Sequence, residues 1–550
     1  MRATGFRSAP PRPPGRRIAL LILLLLAGGA AAACAPSQRS SGKESVFRFR
    51  LREDPPTLDP ALANDQLSEA VLFNVFRGLV WMDPATVEVR PSLAASYTVD
   101  PDGRTYTFRL RSGATFHNGR PITARDVEYS FKRLLDPKTR SPRRYILEPL
   151  EGARAFIDGT TDTVRGLVIP DDRTVVLRLE RPYGPFLPQL TMINASVVPR
   201  ETYEDPGRGY LRSPVGCGPF RFVRWEQSNF LELAAFDSFF GGRPAIDRVV
   251  VRFIENRQSA IQEYLAGGLD SLDEVPHEDP ALIERLGAEV RKYPFMGTQF
   301  LGFNLARPPF KGNTALRKAL NYAVDKEYLA RVMDTGDPAR GIIPPGVPGH
   351  DPALPGYPQD LTKARRLLID AGYPGGKGLP PVTLWFNTSE DVRRIMQRIQ
   401  ADLEAIGVTI GLRELDWPAF LSAIEGTPET PGQAQMFRFG WYLDYPDADA
   451  ILRPLLHTTS LGPPGNFGRY SNPRVDALLD EALAPADAGV RERLYREAER
   501  IAVMDDACWL FLGYYRSATL FKPYVKGIVT TPLGEFRIPL EALRLDAAPV

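Results

Sequence analysis

Cysteine and histidine are scarce in this chain of 550 residues, with three of the first and four of the second. His117, His277, His350 and His457 stand far apart, and none lies in an HExxH pattern. Cys34, Cys217 and Cys508 form no CxxC, so no zinc or other metal site is written into the sequence. No GxSxG elbow occurs, and in the glycine-rich stretch Gly372–Gly378 the residue after Lys377 is Gly378 rather than Ser or Thr, which excludes a phosphate loop. A secreted hydrolase working through unmarked carboxylates is the distant alternative, and no pattern supports it. Excess charge is missing too. Lys and Arg number 68 against 66 Asp and Glu. Five of the arginines (Arg2, Arg7, Arg12, Arg16 and Arg17) precede Cys34 with no acid among them, and without them the balance is 63 to 66, a net of −3. No basic face for nucleic acid is indicated.

One long apolar run is present, at the N-terminus. An arginine-rich stretch leads into Ile18–Leu26, then small residues to Ala33, then Cys34. The run has the length of an export signal and is short for a membrane span. Ala31-Ala32-Ala33-Cys34 resembles a bacterial lipobox, with Ala31 where that pattern prefers Leu. On that resemblance residues 1–34 are a signal peptide, Cys34 carries a lipid anchor, and residues 35–44 are a tether; an ordinary signal peptide cut nearby is the alternative. In an exported protein Cys217 and Cys508 either pair or stand as two buried thiols.

The segment Leu93–Asp136 carries most of the information. Tyr97 and Val99, then Tyr106, Phe108 and Leu110, alternate about the turn Asp100–Gly103, which predicts a hairpin with one buried face. His117-Asn118-Gly119 is a second turn. Thr123, three residues before Asp126, predicts a helix start, and Val127, Phe131, Leu134 and Leu135 give that helix an apolar stripe. The run D-G-x-T-Y-T-F-x-L-R-x-G-x-x-F-H-x-G-x-P-x-T-A-x-D-V, from Asp102 to Val127, resembles the signature of extracellular solute-binding protein family 5. Pro214–Trp225 extends the likeness, with Cys217 where the family has Thr or Ser.

The resemblance implies an α/β fold, a periplasmic-binding-protein type II-like clamshell of two α/β lobes joined by two hinge segments, with an extra subdomain in the first lobe. It implies lobe I over 45–296 and 515–550, with a subdomain inserted at about 65–210, and lobe II over 297–514. The spacing itself predicts a strand at Val46–Leu51, a helix over Leu67–Leu79, and a second hairpin with Leu167 and Ile169 opposite Val175, Leu177 and Leu179. It also predicts a strand near Phe300–Leu305 and a Pro/Gly-rich surface loop at Ile343–Gly356. Val382–Leu412 reads as strand, helix and strand, a βαβ crossover. Helices are predicted at Pro473–Leu483 and Ala488–Met504, and a strand at Trp509–Tyr514.

The implied function is the substrate-binding lipoprotein of an ABC importer, a monomer without cofactor that passes di- or oligopeptides to a membrane permease. Oligosaccharide or a nickel chelate is the alternative ligand within the same family. Phe439–Asp447 resembles the family's G-W-x-x-D-Y segment, which makes Asp444 the receiver of a ligand ammonium among Trp441, Tyr442 and Tyr445; a turn aspartate is the plain alternative. Arg393 and Arg394 open the crossover helix beyond the carboxyl end of a strand, where an arginine can fork onto a carboxylate. Trp417 and Phe386 are candidate pocket walls. Asn64, in the loop after the first strand, belongs to a segment whose backbone pairs with extended peptide in family members.

Overall fold

The computed structural model describes residues 44–546 apart from 205–212, 274, 276–279, 334, 336–337, 428, 463–464, 485–486, 533 and 535–536. Cys34, the signal segment, the tether up to residue 43, and His277 lie outside the described residues. Strand β1 (Val46–Leu51) opens the fold. Helix α1 (Gln66–Val75) starts at Asp65, whose carboxylate accepts the Ser68 N–H at 2.8 Å. It ends at Val75 rather than Leu79 because the Arg77 guanidinium takes the carbonyls of Phe73 and Phe76.

Strands β2 (Ala94–Val99) and β3 (Thr105–Leu110) form the first predicted hairpin, and helix α2 (Ala124–Leu135) follows. Asp126 Oδ2 accepts the Thr123 N–H at 2.8 Å and the Thr123 hydroxyl at 3.1 Å, fixing the helix start where the spacing places it. Strands β4 (Leu167–Asp171) and β5 (Thr174–Arg178) form the second hairpin, and β5 pairs with β3. The two hairpins are therefore one sheet, ordered β2-β3-β5-β4. Strands β6 (Phe220–Glu226), β7 (Phe230–Ala235) and β8 (Arg248–Phe253) join β1 in a separate sheet, β1-β8-β7-β6.

The signature turn and the Pro214–Trp225 segment meet in space. His117 donates its N–H to Gly216 O at 2.9 Å, and Gly216 N–H donates to His117 Nδ1 at 3.2 Å. His117 Nε2 lies 3.0 Å from Gly218 O. Burial pushes the imidazole down to about 4, although the Gly218 carbonyl opposes this, so the ring is neutral with its proton on Nε2. Gly218 is needed for close approach, since a Cβ there would stand 2.7 Å from Asn74 O. Cys217 between them is buried and free, as is Cys508, so the open choice resolves to two separate thiols.

The largest sheet has six strands: β9 (Ser271–Leu272), β10 (Val290–Phe303), β11 (Val382–Asn387), β12 (Ile410–Leu415), β13 (Met436–Tyr442) and β14 (Trp509–Phe521), in the order β9-β14-β10-β13-β11-β12. Helix α3 (Glu390–Glu404) links β11 to β12, which lie parallel as the crossover requires. Helices α4 (Trp417–Glu425), α5 (Asp449–Leu456), α6 (Pro473–Glu481) and α7 (Ala488–Arg500) follow α3 in this part. Strand β14 continues seven residues past Tyr514 to Phe521 because it pairs antiparallel with β10 from Val290↔Leu520 to Gly302↔Trp509. Each strand supplies the other's backbone partners, so both run long, and the register shifts between Pro294 and Thr298.

The Ile343–Gly356 stretch is irregular, as predicted, but it is not a surface loop: Ile342, Ile343, Val347 and Leu354 are buried. The cause is a buried acid. Glu499 Oε1 accepts the N–H groups of Ile342 and Ile343 at 2.6 and 2.8 Å, and Thr298 Oγ1 donates to Ile342 O at 2.7 Å. With its polar groups met from outside, a segment without secondary structure lies inside the fold. One apolar core runs from the β2-β3-β5-β4 sheet into the layers of the six-stranded sheet, and a second is built around β1, α1, β7 and β8.

Candidate ligand site at the end of strand β13

Strand β13 presents two unlike faces. Phe437 and Phe439 are buried, whereas Arg438 and Gly440 are half-buried and Tyr442 is exposed. The exposed face carries the polar chemistry. Arg438 donates from Nη2 to Gln299 Oε1 at 2.8 Å and lies 3.5 Å from the Tyr515 hydroxyl. Among the described residues no carboxylate pairs with it. Gly440 leaves the space that the Tyr515 side chain fills. Tyr442 stacks on Phe295 at 4.8 Å and lies tilted against Tyr515 at 4.3 Å, making an aromatic wall beside the arginine.

Beyond the strand the chain turns through Leu443–Ala448 into α5. The bond expected of a turn aspartate is made by Asp447, whose Oδ1 accepts the Asp449 N–H at 2.9 Å, while its Oδ2 is held by the buried Arg491. Asp444 is thereby left for another partner. Its Oδ2 and Oδ1 accept from Arg143 Nη1 and Nη2 at 2.7 and 3.1 Å, with side chains 39% and 24% exposed. Arg143 lies in the segment after α2 and is also 3.4 Å from the Tyr145 hydroxyl. Burial works against the charge on Arg143, but Asp444 outweighs it and holds the guanidinium above its ordinary value. Arg537 reaches the Asp444 main-chain oxygen at 3.4 Å while forking onto Glu69 of α1 at 3.0 and 3.1 Å. Two separate stretches of chain, around Arg143 and Arg537, thus meet at Asp444.

The other anticipated residues are distributed as follows. Trp441 donates Nε1–H to Ala450 O at 2.9 Å and anchors α5. Tyr445 is buried, and desolvation pushes its hydroxyl far up. Trp417, the first residue of α4, is half exposed and stacks on Phe439 at 6.2 Å, while Phe386 is buried in β11. Asn64 is exposed just ahead of α1, five residues before Glu69. Arg393 forks onto Glu414 of β12 at 2.7 and 2.8 Å, and Arg394 lies 4.0 Å from Asp391, both on the exposed flank of α3. Arg143, Arg438 and Arg537 were not singled out from sequence. Arg438 alone left a trace there, two residues ahead of the G-W-x-x-D-Y segment at an alternating position.

The described cavities lie elsewhere. A groove of about 460 Å³ is lined by Tyr106, Tyr183, Ala484 and Arg491, and another of about 480 Å³ by Arg181, Arg453 and His457; neither includes Asp444 or Arg438.

The family described as bacterial extracellular solute-binding proteins, family 5 Middle, matches residues 88–463. The glutathione-binding protein GsiB of Salmonella typhimurium is 30% identical over 461 residues, covering 82% of this chain and 86% of its own. Among solved structures, the murein tripeptide binding protein MppA in its unliganded open form is 26% identical, with a TM-score of 0.79 over 93% of this chain and 99% of that one. The binding protein DppA from Helicobacter pylori, in complex with peptide STSA, is 27% identical, with a TM-score of 0.71 over 91% and 98%.

Proposed function

Because the chain belongs to family 5 of the bacterial extracellular solute-binding proteins and has their two-lobed, type II periplasmic-binding-protein fold, we propose that it captures short peptides outside the cytoplasm and delivers them to an ABC permease. The observation that carries this reading is the pairing of opposite charges along β13. Asp444 offers a partly exposed carboxylate just past the strand, and Arg438 on the strand is a cation met by neutral groups. A peptide is a zwitterion and needs one of each as water is excluded. The two stand six positions apart, at most about 20 Å of extended chain, which suits a short ligand. The relatives named for glutathione and for a murein tripeptide, and the structure solved with peptide STSA, support the same class.

The lobes we propose are 45–296 with 515–550, including the inserted unit at about 65–210, against 297–514. The crossing points then fall within the paired strands β10 and β14, beside the register shift at Pro294–Thr298. Ligand touching both lobes would favour the closed arrangement by its differential affinity. Cys34 would keep the monomer at the membrane through a lipid. Trp441, Tyr442, Tyr445 and Trp417 would serve as walls and supports, and Asn64 would offer backbone to the peptide.

Native mass spectrometry of the gently purified mature protein tests the class. A ladder of bound masses fitting short peptides is expected. A single mass matching a sugar or a nickel complex would replace the ligand while keeping the family.

A further inference from the structure

We infer that the Tyr183-Gly184 turn of the inserted unit is an attachment between the lobes and that, through Arg491 and Asp447, it positions the turn carrying Asp444. Gly184 and Arg491 are then positioning residues: neither belongs to the charges offered to the ligand, and both decide where the Asp444 carboxylate stands. This inference rests on the peptide-binding reading and on the lobes proposed above.

The contact lies away from the two strands that cross between the lobes. Gly184 N–H donates to Leu483 O at 2.7 Å, joining the segment after β5 to the chain just past α6. A Cβ at Gly184 would stand 2.4 Å from Arg491 Nε and 2.7 Å from Cζ, so the backbone lies directly against the guanidinium. Gly184 has no positive φ, so a side chain there would meet Arg491 rather than backbone strain. Both partners are held. Pro182 and Pro185 flank the turn and stiffen it. Gln189 Nε2 donates to the Tyr183 hydroxyl at 2.9 Å, and buried Phe186 packs edge-on against Tyr106 at 5.1 Å. Opposite, buried Arg491 donates to Ala482 O at 3.1 Å, to the Tyr495 hydroxyl at 3.0 Å and to Asp447 Oδ2.

Asp447 carries the contact onward. Its N–H donates to Tyr445 O at 2.9 Å, its carbonyl accepts the Ala450 N–H at 3.0 Å, and its Oδ1 accepts the Asp449 N–H at 2.9 Å. It therefore ties the Leu443–Ala448 turn to α5, three residues from Asp444. A guanidinium pushed away from Gly184 either leaves Asp447, stranding a buried carboxylate, or draws Asp447 and the turn with it. Asp444 is displaced in both cases.

The experiment is calorimetric titration of trialanine and its N-acetyl derivative into the mature wild type, Gly184→Ala and Tyr183→Phe. Backbone amide exchange over Leu443–Ala450 is followed in parallel by mass spectrometry. The wild type should favour the free amine at least tenfold. Gly184→Ala should cut that ratio to below about threefold and speed exchange of the Asp449 and Ala450 amides about tenfold. Tyr183→Phe frees the turn from Gln189 without adding an atom, and should lower the ratio by about threefold. It keeps the test open if Gly184→Ala does not fold.

A folded variant that keeps the wild-type ratio overturns the inference and leaves the peptide reading standing. So does an equal loss of affinity for both peptides, because the turn would then hold the lobes without placing Asp444. A ratio that falls with unchanged amide exchange also overturns it, since Asp447 would not be the path. A wild type that binds both peptides alike, or neither, contradicts the peptide reading itself.

Discussion

The Tyr515 side chain lies against Gly440 so closely that a Cβ at position 440 would collide with its hydroxyl. The same ring is 4.3 Å from Tyr442, and its hydroxyl is 3.5 Å from Arg438 Nη2. Glycine here sets where the aromatic wall and the arginine stand. Gly440→Ala should cost only about 1 kcal/mol in urea unfolding, since a partly exposed ring can swing away. Binding of peptides with a free carboxylate should weaken at least fivefold. Unchanged affinity would mean that the placement of Tyr515 is of no consequence to the ligand.

Arg438→Gln should weaken peptides with a free carboxylate by about tenfold or more and leave their C-terminal amides nearly unaffected. The double change Arg393→Gln with Arg394→Gln should act within twofold on both, because Glu414 already engages Arg393. The opposite ranking would assign the carboxylate to the arginines of α3.

Local features were legible in the sequence because local spacing determines them. Both hairpins, the Thr123–Asp126 helix start and the β11-α3-β12 crossover follow from alternation, capping and turn chemistry within a few residues. Asp444 was singled out by the wording of its segment. Its partner was not, because Arg143 lies 301 residues away in a segment with no pattern of its own. The buried course of Ile343–Gly356 was misjudged for a similar reason: proline and glycine mark a loop, but whether it lies inside depends on Glu499, more than 140 residues on. The full length of β14 was hidden because strand pairing with β10, rather than local propensity, sets its end.

Glu499 gives a pH signature. Burial pushes its carboxyl up to about 7, against the opposing bonds from Ile343 and Ile342. A carboxyl whose folded value is raised contributes most at low pH and loses that contribution as pH rises from its ordinary value, about 4.3, through 7. The loss is on the order of 3 kcal/mol. Glu499→Gln keeps an acceptor for both N–H groups and cannot ionise. Relative to the wild type it should be near neutral at pH 4 and more stable at pH 8, read from urea midpoints. His117 titrates in both proteins and cancels in the difference. A difference that does not change with pH would contradict the raised value.

The measurement that tests the account most directly is calorimetric titration of one dipeptide and its N-acetyl derivative into the wild type and Asp444→Asn. The account predicts that acetylation weakens wild-type binding at least tenfold. It also predicts that Asp444→Asn, with an unchanged melting profile, binds the free amine no better than the wild type binds the acetylated form. Equal affinity for the two peptides in the wild type, or full affinity for the free amine in Asp444→Asn, would contradict it and remove Asp444 from the ligand's ammonium.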